Sequence, residues 1–417
     1  MHFTPSLLAA VGLVAIGQVS AKPFPSPANG LKPIKQIELG PRPYYLVDNM
    51  DDGPLKSKLG SCKELKMKAS TFSIAHRGGG PLQFPEHSKE SNLAGARMGA
   101  GILECDVAFT KDLELVCRHS QCDLHTTTNI VNIPELNKKC TTPFQPAANG
   151  KPATAKCCTS DITLAEFKSL CSKMDAFNAS ATTPHDYLGG TPSWRTDLYN
   201  TCGTTLSLKE HIAMTDALGL QFTPELKTPE VPMPFMGHYT QKDYAQQFID
   251  TFKKAGIPPS RVWPQSFLYD DLIYWLKAEP QYAKQAMYLD EIADFAGMDA
   301  AVRNLTRYKA DGINIVAPPL PYLVSSQNGK IVPSAYAKQA NKLGLQIITW
   351  SLERSGPIAG VHANGDYYYS SIQDVVNKDG DIYSLVDVLA RQVGVLGIFS
   401  DWSATVTYYA NCFGLGL

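Results

Sequence analysis

GILECDVAF, residues 101–109, is an apolar run that carries two carboxylates, Glu104 and Asp106, two positions apart. Side chains two residues apart on a strand point to the same face, so both carboxylates share one face. Cys105 points the other way, toward an expected layer of helices. Charged groups on the inner face of an apolar strand are typical of the end of a barrel strand that carries chemistry. This stretch therefore predicts a strand whose inner face bears functional groups.

Seven other short apolar runs along the chain also have strand character, and helical patterns lie between several of them. The eight predicted strands are Thr71–Ala75, Gly101–Phe109, Gln221–Leu226, Val262–Phe267, Ala286–Leu289, Gly312–Val316, Leu345–Trp350 and Val395–Phe399. The clearest helical patterns are Tyr244–Ala255, Asp270–Lys277 and Ala335–Leu343. Eight strands alternating with helices predict a TIM-type (β/α)8 barrel in the α/β class. A doubly wound open sheet is the alternative.

The stretch from about Asp123 to Thr205 interrupts this alternation with few strand signals and many Thr, Pro and Asn residues. We interpret it as a disulfide-rich insertion between strands 2 and 3, because disulfides can hold a loop-rich segment together. The predicted organisation is a signal peptide at 1–21, an extended N-terminal segment at 22–60 and a barrel at 61–417, with the insertion at about 123–205.

The charge balance of the chain argues against polyanionic partners. Its 417 residues contain 38 Lys plus Arg and 39 Asp plus Glu, for a net charge of −1, and 44% are hydrophobic. We therefore expect no nucleic-acid partner and no attraction to an anionic membrane surface. An anionic small-molecule substrate would need a local cation, either a side chain or a metal.

The N-terminus predicts export. An apolar run from Ser6 to Ile16 precedes Val19-Ser20-Ala21, whose small residues suit a signal peptidase. An N-terminal anchor is the alternative, but the run is shorter than the roughly 20 apolar residues of a membrane span. We expect a secreted or cell-wall-associated protein without a stable membrane anchor.

The cysteine pattern agrees with export. The chain has ten cysteines, an even number that suits disulfides in an oxidising compartment. Five of them lie within one stretch of about 50 residues: Cys122, Cys140, Cys157, Cys158 and Cys171. A zinc site is the alternative, but the chain has no CxxC pair. Two sequons, at Asn178 and Asn304, could carry glycans.

Polar residues follow nearly every predicted strand, where barrel enzymes place their chemistry. Glu225 ends the third strand and would join Glu104 and Asp106 at one point. Three converging carboxylates suit a hard divalent cation, Mg²⁺ or Ca²⁺. The alternative is a set of surface carboxylates paired with Arg77 and Lys227, and the residues alone do not separate the two.

Two histidines follow apolar runs next to this predicted metal site. His76 and His119 could divide proton transfer in phosphodiester cleavage, one as acceptor and one as donor. Arg77 and Lys227 could balance the charge on the phosphoryl oxygens. The triplet Gly78-Gly79-Gly80 would allow the backbone to approach a phosphate closely.

The ordered set of motifs resembles the glycerophosphodiester phosphodiesterase family, in particular secreted fungal members. The matching residues are His76-Arg77-Gly78, Pro85-Glu86-His87-Ser88, Gly99 to Asp106 with its Glu-x-Asp, Thr110-Lys111-Asp112, His119, Thr126-Thr127, Glu225-x-Lys227, Gln265-Ser266-Phe267 and Phe399-Ser400-Asp401. Each motif alone is weak, but the ordered set spans about residues 73–402.

The resemblance implies a TIM barrel with a divalent metal at Glu104, Asp106 and Glu225, and with His76 and His119 as the acid/base pair. It implies that substrate or phosphate is bound by a further set of residues: Arg77, Lys227, Gln265 and Trp350. The implied reaction hydrolyses a glycerophosphodiester, such as glycerophosphocholine, to glycerol 3-phosphate and an alcohol. The glycerol hydroxyl would attack first, and water would open the resulting cyclic phosphate.

The sequence departs from the family pattern in a few places. Ser120 follows His119 where the family has an acid, His125 stands in place of Arg, and Pro-Glu-His-Ser replaces Pro-Glu-Asn-Thr. None of these changes removes a predicted ligand or catalytic histidine. Two alternatives remain: a sphingomyelinase D-like lyase, against which Glu225-x-Lys227 argues, and a catalytically weak surface-binding protein on the same barrel.

Overall fold

Eight parallel strands form a closed barrel in a computed structural model of the chain, which describes residues 28–199 and 202–417. The strands are β1 (Ser70–Ala75), β2 (Ala100–Phe109), β3 (Gln221–Leu226), β4 (Gln265–Ser266), β5 (Met287–Leu289), β6 (Ile315–Ala317), β7 (Gln346–Leu352) and β8 (Gly397–Ser400). Each pairs with the next, and β8 pairs with β1. The barrel prediction is confirmed, and the open-sheet alternative is wrong.

Helices follow the strands and surround the barrel. In the described part of the chain they are α1 (Lys89–Arg97), α2 (Leu208–Ala217), α3 (Gln241–Lys254), α4 (Tyr269–Ala278), α5 (Met298–Ala310), α6 (Ala335–Lys342), α7 (Asp381–Val388) and α8 (Ser403–Phe413). Capping boxes begin α2 at Ser207 and α3 at Thr240, with an acidic residue three positions later in each case. The three predicted helices correspond to α3, α4 and α6.

Short elements lie between β4 and β8 as well. They are the helices Pro280–Ala283, Ile292–Ala296, Leu320–Leu323 and Ile358–Asn364, and a hairpin of Val324–Gln327 with Lys330–Pro333. The strand β4 is shorter than the predicted Val262–Phe267. Pro264 lacks an N–H and cannot donate a ladder hydrogen bond, which limits regular pairing there.

The carboxylates of β2 face the barrel interior, as predicted. Ile102 belongs to the apolar cluster inside the barrel, whereas Leu103 and Cys105 belong to the larger cluster between the barrel and its helices. Strand alternation therefore turns Glu104 and Asp106 inward above an apolar floor. A disulfide joins Cys105 to Cys117 on a short strand, Leu115–Cys117, that pairs antiparallel with the end of β2.

The segment before the barrel was expected to be extended, and the structure corrects this for its described part. Residues 28–60 contain two short helices, Arg42–Asp48 and Pro54–Gly60. Each has a proline in its first turn, where the missing N–H removes no helical hydrogen bond. A disulfide between Cys62 and Cys412 ties the end of this segment to α8. The expected signal peptide, residues 1–21, lies outside the described residues.

The cysteine-rich stretch packs around an apolar cluster of its own, which includes Leu124, Ile130 and Phe167. Its elements are Leu124–Thr127, Ile130–Asn132, Pro134–Asn137, Thr159–Asp161, Leu164–Phe167 and Pro184–Tyr187 as short helices, and Thr142–Gln145 with Thr154–Lys156 and Cys171–Ser172 with Gly203–Thr204 as strand pairs. Three disulfides hold them together, namely Cys122–Cys158, Cys140–Cys157 and Cys171–Cys202.

Candidate active site

All nine side chains singled out in the sequence line one cavity of about 520 Å³ at the carboxyl ends of the barrel strands. They are His76, Arg77, Glu104, Asp106, His119, Glu225, Lys227, Gln265 and Trp350. Residues more than 270 positions apart in the chain thus meet because the ends of parallel strands lie at the same rim of the barrel.

The strand register places the acidic groups side by side. Asp106 on β2 lies directly opposite Glu225 on β3, and Glu225 lies opposite Gln265 on β4. Glu104, Asp106 and Glu225 each offer one oxygen such that the three atoms lie within 4.8 Å of one another. This arrangement is a candidate site for a divalent cation.

Each carboxylate is held by a different neighbour. Glu104 accepts hydrogen bonds from the backbone N–H of Arg77 at 2.5 Å and from Nε2 of Gln265 at 3.0 Å. Asp106 Oδ2 lies 3.0 Å from Nε2 of His87, and Glu225 Oε1 lies 2.7 Å from Nζ of Lys227. These contacts fix the carboxylates in orientations that converge on the cavity.

The electrostatics of the three carboxylates fit a bound cation. Burial and the charge of Asp106 raise the pKa of Glu104 well above its usual value, and burial raises the pKa of Glu225 to about 7. Burial alone would raise the pKa of Asp106 too, but His87 and Lys227 hold it well below its usual range. Oδ1 of Asp106 is buried and has no hydrogen-bond partner among the described residues. A hard divalent ion would neutralise the site and use this oxygen.

His76 is oriented by an acid from the last strand. Its Nδ1 lies 2.5 Å from Oδ1 of Asp401, and its Nε2 lies 3.2 Å from Oγ of Ser351. Burial lowers the pKa of His76, and the charge of Asp401 opposes that shift. Because Asp401 engages Nδ1, Nε2 is the ring nitrogen that could transfer a proton within the cavity.

His119 follows the short hairpin strand and lies across the site. Burial, together with the positive charges of Arg77 and Lys227, lowers its pKa well below the usual value, so the imidazole is neutral at pH 7. Ser120 replaces the acid expected after His119, but a carboxylate three positions further on, Asp123, comes near. It accepts a hydrogen bond from the Ser120 N–H at 3.2 Å and lies within 4.8 Å of the His119 ring.

Positive groups are arranged around the two histidines. Arg77 has a φ of 50° and donates from Nη1 to both oxygens of Glu86 at 3.1 Å. Lys227 lies above the Phe267 ring, with Nζ 5.5 Å from its centre. Arg354 donates to Glu86 at 3.2 Å and to Asp401 at 3.1 Å. Anionic substrate groups would therefore enter a cavity that already holds fixed cations.

The glycine triplet does not line the cavity. A Cβ atom on Gly78 would lie 2.6 Å from Oγ of Ser91 on α1, and one on Gly79 would lie 2.2 Å from Oγ of Ser403 on α8. Both glycines have positive φ values. They allow the turn after β1 to pack against two helices, which is a different role from the expected phosphate contact.

Several side chains around the site were not assigned roles from the sequence. Glu86, His87 and Asp401 stand within motifs that were recognised, so their motifs could have identified them. Arg195, in the cysteine-rich stretch, has its guanidinium 3.4 Å from Asp401. Neither Arg195 nor Arg354 carries a local sequence signal. Only the folded chain shows that these two arginines approach the site.

The fold and the site together define a phosphoric diester hydrolase on a TIM barrel. The sequence profile of the glycerophosphoryl diester phosphodiesterase family matches residues 76–405. The chain belongs to this family, and the matched range includes both histidines and all three carboxylates.

The chain is also similar to individual proteins. The chain is 54% identical over 245 residues to an "Extracellular protein" of Arthroderma benhamiae, covering 58% of this chain and 100% of that one. It is 22% identical over 397 residues to glycerophosphodiester phosphodiesterase GDPD6 of Arabidopsis thaliana, covering 88% and 91%. A solved structure from Silicibacter pomeroyi, assigned as a glycerophosphoryl diester phosphodiesterase, has the same fold, with a TM-score of 0.53, 16% identity and coverage of 86% and 99%.

Proposed function

We propose that this protein is a secreted, metal-dependent enzyme that hydrolyses glycerophosphodiesters to glycerol 3-phosphate and an alcohol. The observation that carries the proposal is the convergence of three buried carboxylates and two histidines in one cavity that also holds Arg77 and Lys227. These residues would supply what phosphodiester cleavage requires: a site for a cation, a proton acceptor, a proton donor and fixed positive charge.

Glu104, Asp106 and Glu225 would hold the divalent ion, which is Mg²⁺ or Ca²⁺ because all the offered ligands are oxygens. When bound, the ion supplies Lewis-acid stabilisation of the negative charge on the phosphoryl group. Arg77 and Lys227 complement that charge from the protein side. Gln265, which donates to Glu104, and Trp350 border the remaining substrate space.

The different environments of the two histidines support different roles for them in the first step. His119, with its pKa lowered most strongly by burial and nearby cations, accepts the proton of the attacking glycerol hydroxyl. His76, whose protonated form is favoured by Asp401, donates a proton to the leaving alkoxide as its P–O bond breaks. The product is a cyclic glycerol phosphate, which water opens with the roles reversed.

Secretion is supported by two observations. All ten cysteines form disulfides, namely the Cys62–Cys412 and Cys105–Cys117 pairs and the three within the insertion, as is typical of an oxidising compartment. The Arthroderma benhamiae relative is described as extracellular. In the part of the chain that the structure describes, the helices are too short or too polar to cross a bilayer.

We further propose that residues 61–417 form one catalytic domain and that the insertion at about 123–205 supports one side of its active site. His125 and Lys173 lie in that insertion. Nζ of Lys173 donates to the carbonyls of Thr126 at 2.8 Å and Ala176 at 2.7 Å, which holds the loop beyond His119 in place.

The products of glycerophosphocholine hydrolysis test the proposed reaction. Phosphorus NMR of the purified protein with glycerophosphocholine and Mg²⁺ or Ca²⁺ should show glycerol 3-phosphate, preceded by a transient cyclic phosphate. Release of phosphocholine would show that the other P–O bond is cleaved. Failure to convert any glycerophosphodiester would contradict the proposal, and conversion of sphingomyelin instead would favour a lyase of the sphingomyelinase D type.

A further inference from the structure

The cavity has two chemically different halves. The strands β1 to β3 and the residues that follow them supply its charged half, which contains the three carboxylates and the side chains of Arg77 and Lys227. The strands β4, β5, β7 and β8, with the loop after β7, supply an aromatic and apolar half: Phe267, Leu289, Trp350, Tyr367, Tyr368 and Phe399. A phosphodiester bound at the charged half would extend one of its two ester groups over the aromatic half.

The aromatic side chains form walls. The rings of Phe267 and Trp350 have centres 5.9 Å apart and planes inclined at 84°, and those of Trp350 and Tyr368 are 6.2 Å apart at 75°. Trp350 Nε1 donates to the Ala317 carbonyl at 2.8 Å, and the Tyr367 hydroxyl donates to Asp294 at 2.6 Å. Two of the polar atoms of these walls are therefore already used. Lys227 lies over the Phe267 ring, and the remaining ring surface that lines the cavity belongs to Trp350, Tyr367 and Tyr368.

One carboxylate belongs to this half. Glu291 follows β5, lines the cavity and is partly buried. Within residues 28–199 and 202–417 its side chain makes no ion pair and no hydrogen bond, unlike Glu225, which is paired with Lys227. Burial and the charge of Asp294 raise the pKa of Glu291, and the charge of Lys227 opposes that shift only in part.

Aromatic faces combined with an unpaired carboxylate attract a bulky organic cation. A polyol would need hydrogen-bond partners that the aromatic walls do not supply, and an anionic group would be repelled by Glu291. We propose that this half of the cavity binds the leaving alcohol and selects one that carries a quaternary ammonium group. The inference rests on the proposed diesterase function and specifies its substrate class.

A pair of substrates of equal shape isolates the contribution of charge. Glycerophosphocholine is compared with the glycerophosphodiester of 3,3-dimethylbutanol, in which carbon replaces the cationic nitrogen. The wild-type protein should have a kcat/KM about tenfold higher for the choline ester. Glu291→Gln should reduce this ratio to about one, because it removes the charge and keeps the side-chain shape.

Glu230→Gln is the matched control, since Glu230 lines the same cavity but its carboxylate is already engaged by the Cys122 N–H at 3.3 Å and by Nζ of Lys156 at 3.9 Å. In this variant, kcat/KM for the choline ester should remain about tenfold higher than kcat/KM for the 3,3-dimethylbutanol ester. Equal kcat/KM values for the two esters in the wild-type protein, or a ratio unchanged by Glu291→Gln, would overturn the proposal.

A binding measurement separates this proposal from the diesterase function. Calorimetry with phosphocholine and with 3,3-dimethylbutyl phosphate, in the wild-type protein and in Glu291→Gln, reports selectivity without turnover. Preference for phosphocholine that is lost in the variant supports the ammonium site even if no diester is hydrolysed. Hydrolysis of both esters without any such preference retains the diesterase and rejects the ammonium site.

Discussion

Nδ1 of His76 lies 2.5 Å from Oδ1 of Asp401, although 325 residues separate the two in the chain. The first and last barrel strands bring them together, since β1 and β8 are neighbours and Ala75 pairs with Ser400. The other oxygen of Asp401 accepts from Arg354 at 3.1 Å. Burial alone would raise the pKa of Asp401, but Arg354 and His76 lower it, so the carboxylate stays ionised and can hold His76 in one orientation.

Replacing Asp401 with Asn should lower kcat by about 100-fold, because the imidazole loses both its orientation and its stabilising charge. Loss of a negative neighbour lowers the pKa of His76. If His76 is the proton donor, the basic limb of the kcat/KM profile should then move to lower pH. A pH–rate profile of the variant checks this, and an acidic limb that moves instead would reverse the roles given to the two histidines.

Replacing Arg195 with Met should move the basic limb of the kcat/KM profile to higher pH, opposite to the effect of Asp401→Asn. Arg195 lies in the cysteine-rich stretch, and its guanidinium contributes positive charge 3.4 Å from Asp401. Removing that charge favours the protonated form of His76, so the basic limb should move upward by about 0.3 pH units. Arg195→Lys, which keeps the charge, is the control. A lower rate with an unshifted profile in Arg195→Met would indicate a role in folding alone.

Metal binding should change how the stability of the protein depends on pH. The pKa of Glu225 is raised to about 7 in the folded chain from an ordinary value of 4.5, so the folded state holds more protons than the unfolded state between these pH values. The stability of the metal-free protein should therefore fall as pH rises through this range. Mg²⁺ or Ca²⁺ should restore it, because the ion binds the folded state.

Thermal unfolding of the wild-type protein and of Glu225→Gln, with and without the ion, checks this expectation. The variant should lose part of the pH-dependent decrease and most of the increase in Tm on metal addition. An equal increase in both proteins would argue against Glu225 as a ligand.

Local patterns in the sequence predicted the barrel and most of the residues around its cavity, whereas Gln265 and Trp350 were named only from the family resemblance. Strand alternation turns Glu104 and Asp106 inward, and the ends of parallel strands converge wherever they stand in the chain. Their placement in one cavity agrees with the predicted site, while the roles given to them stay predictions. The two short helices before the barrel were missed because that segment was interpreted from its Pro and Gly content.

The ion-pair network behind the histidines could not be predicted from the sequence. Arg354 contacts Glu86 across 268 residues and Asp401 across 47, and these contacts depend on the paths of loops. The same holds for Asp123, which reaches the His119 ring only because of the turn at Ser120. Long-range pairing between loops leaves no periodic signal in a single sequence.

We propose that hydrolysis of a glycerophosphodiester requires a cation held by Glu104, Asp106 and Glu225. The most direct test of this requirement measures glycerol 3-phosphate release from glycerophosphocholine by the purified protein, before EDTA treatment, after it, and after Mg²⁺ or Ca²⁺ is restored, with His76→Ala and His119→Ala as inactive references. Release should stop with EDTA, return with the ion and be abolished in both variants while their thermal unfolding remains cooperative. Undiminished release from protein shown to be free of metal would contradict it.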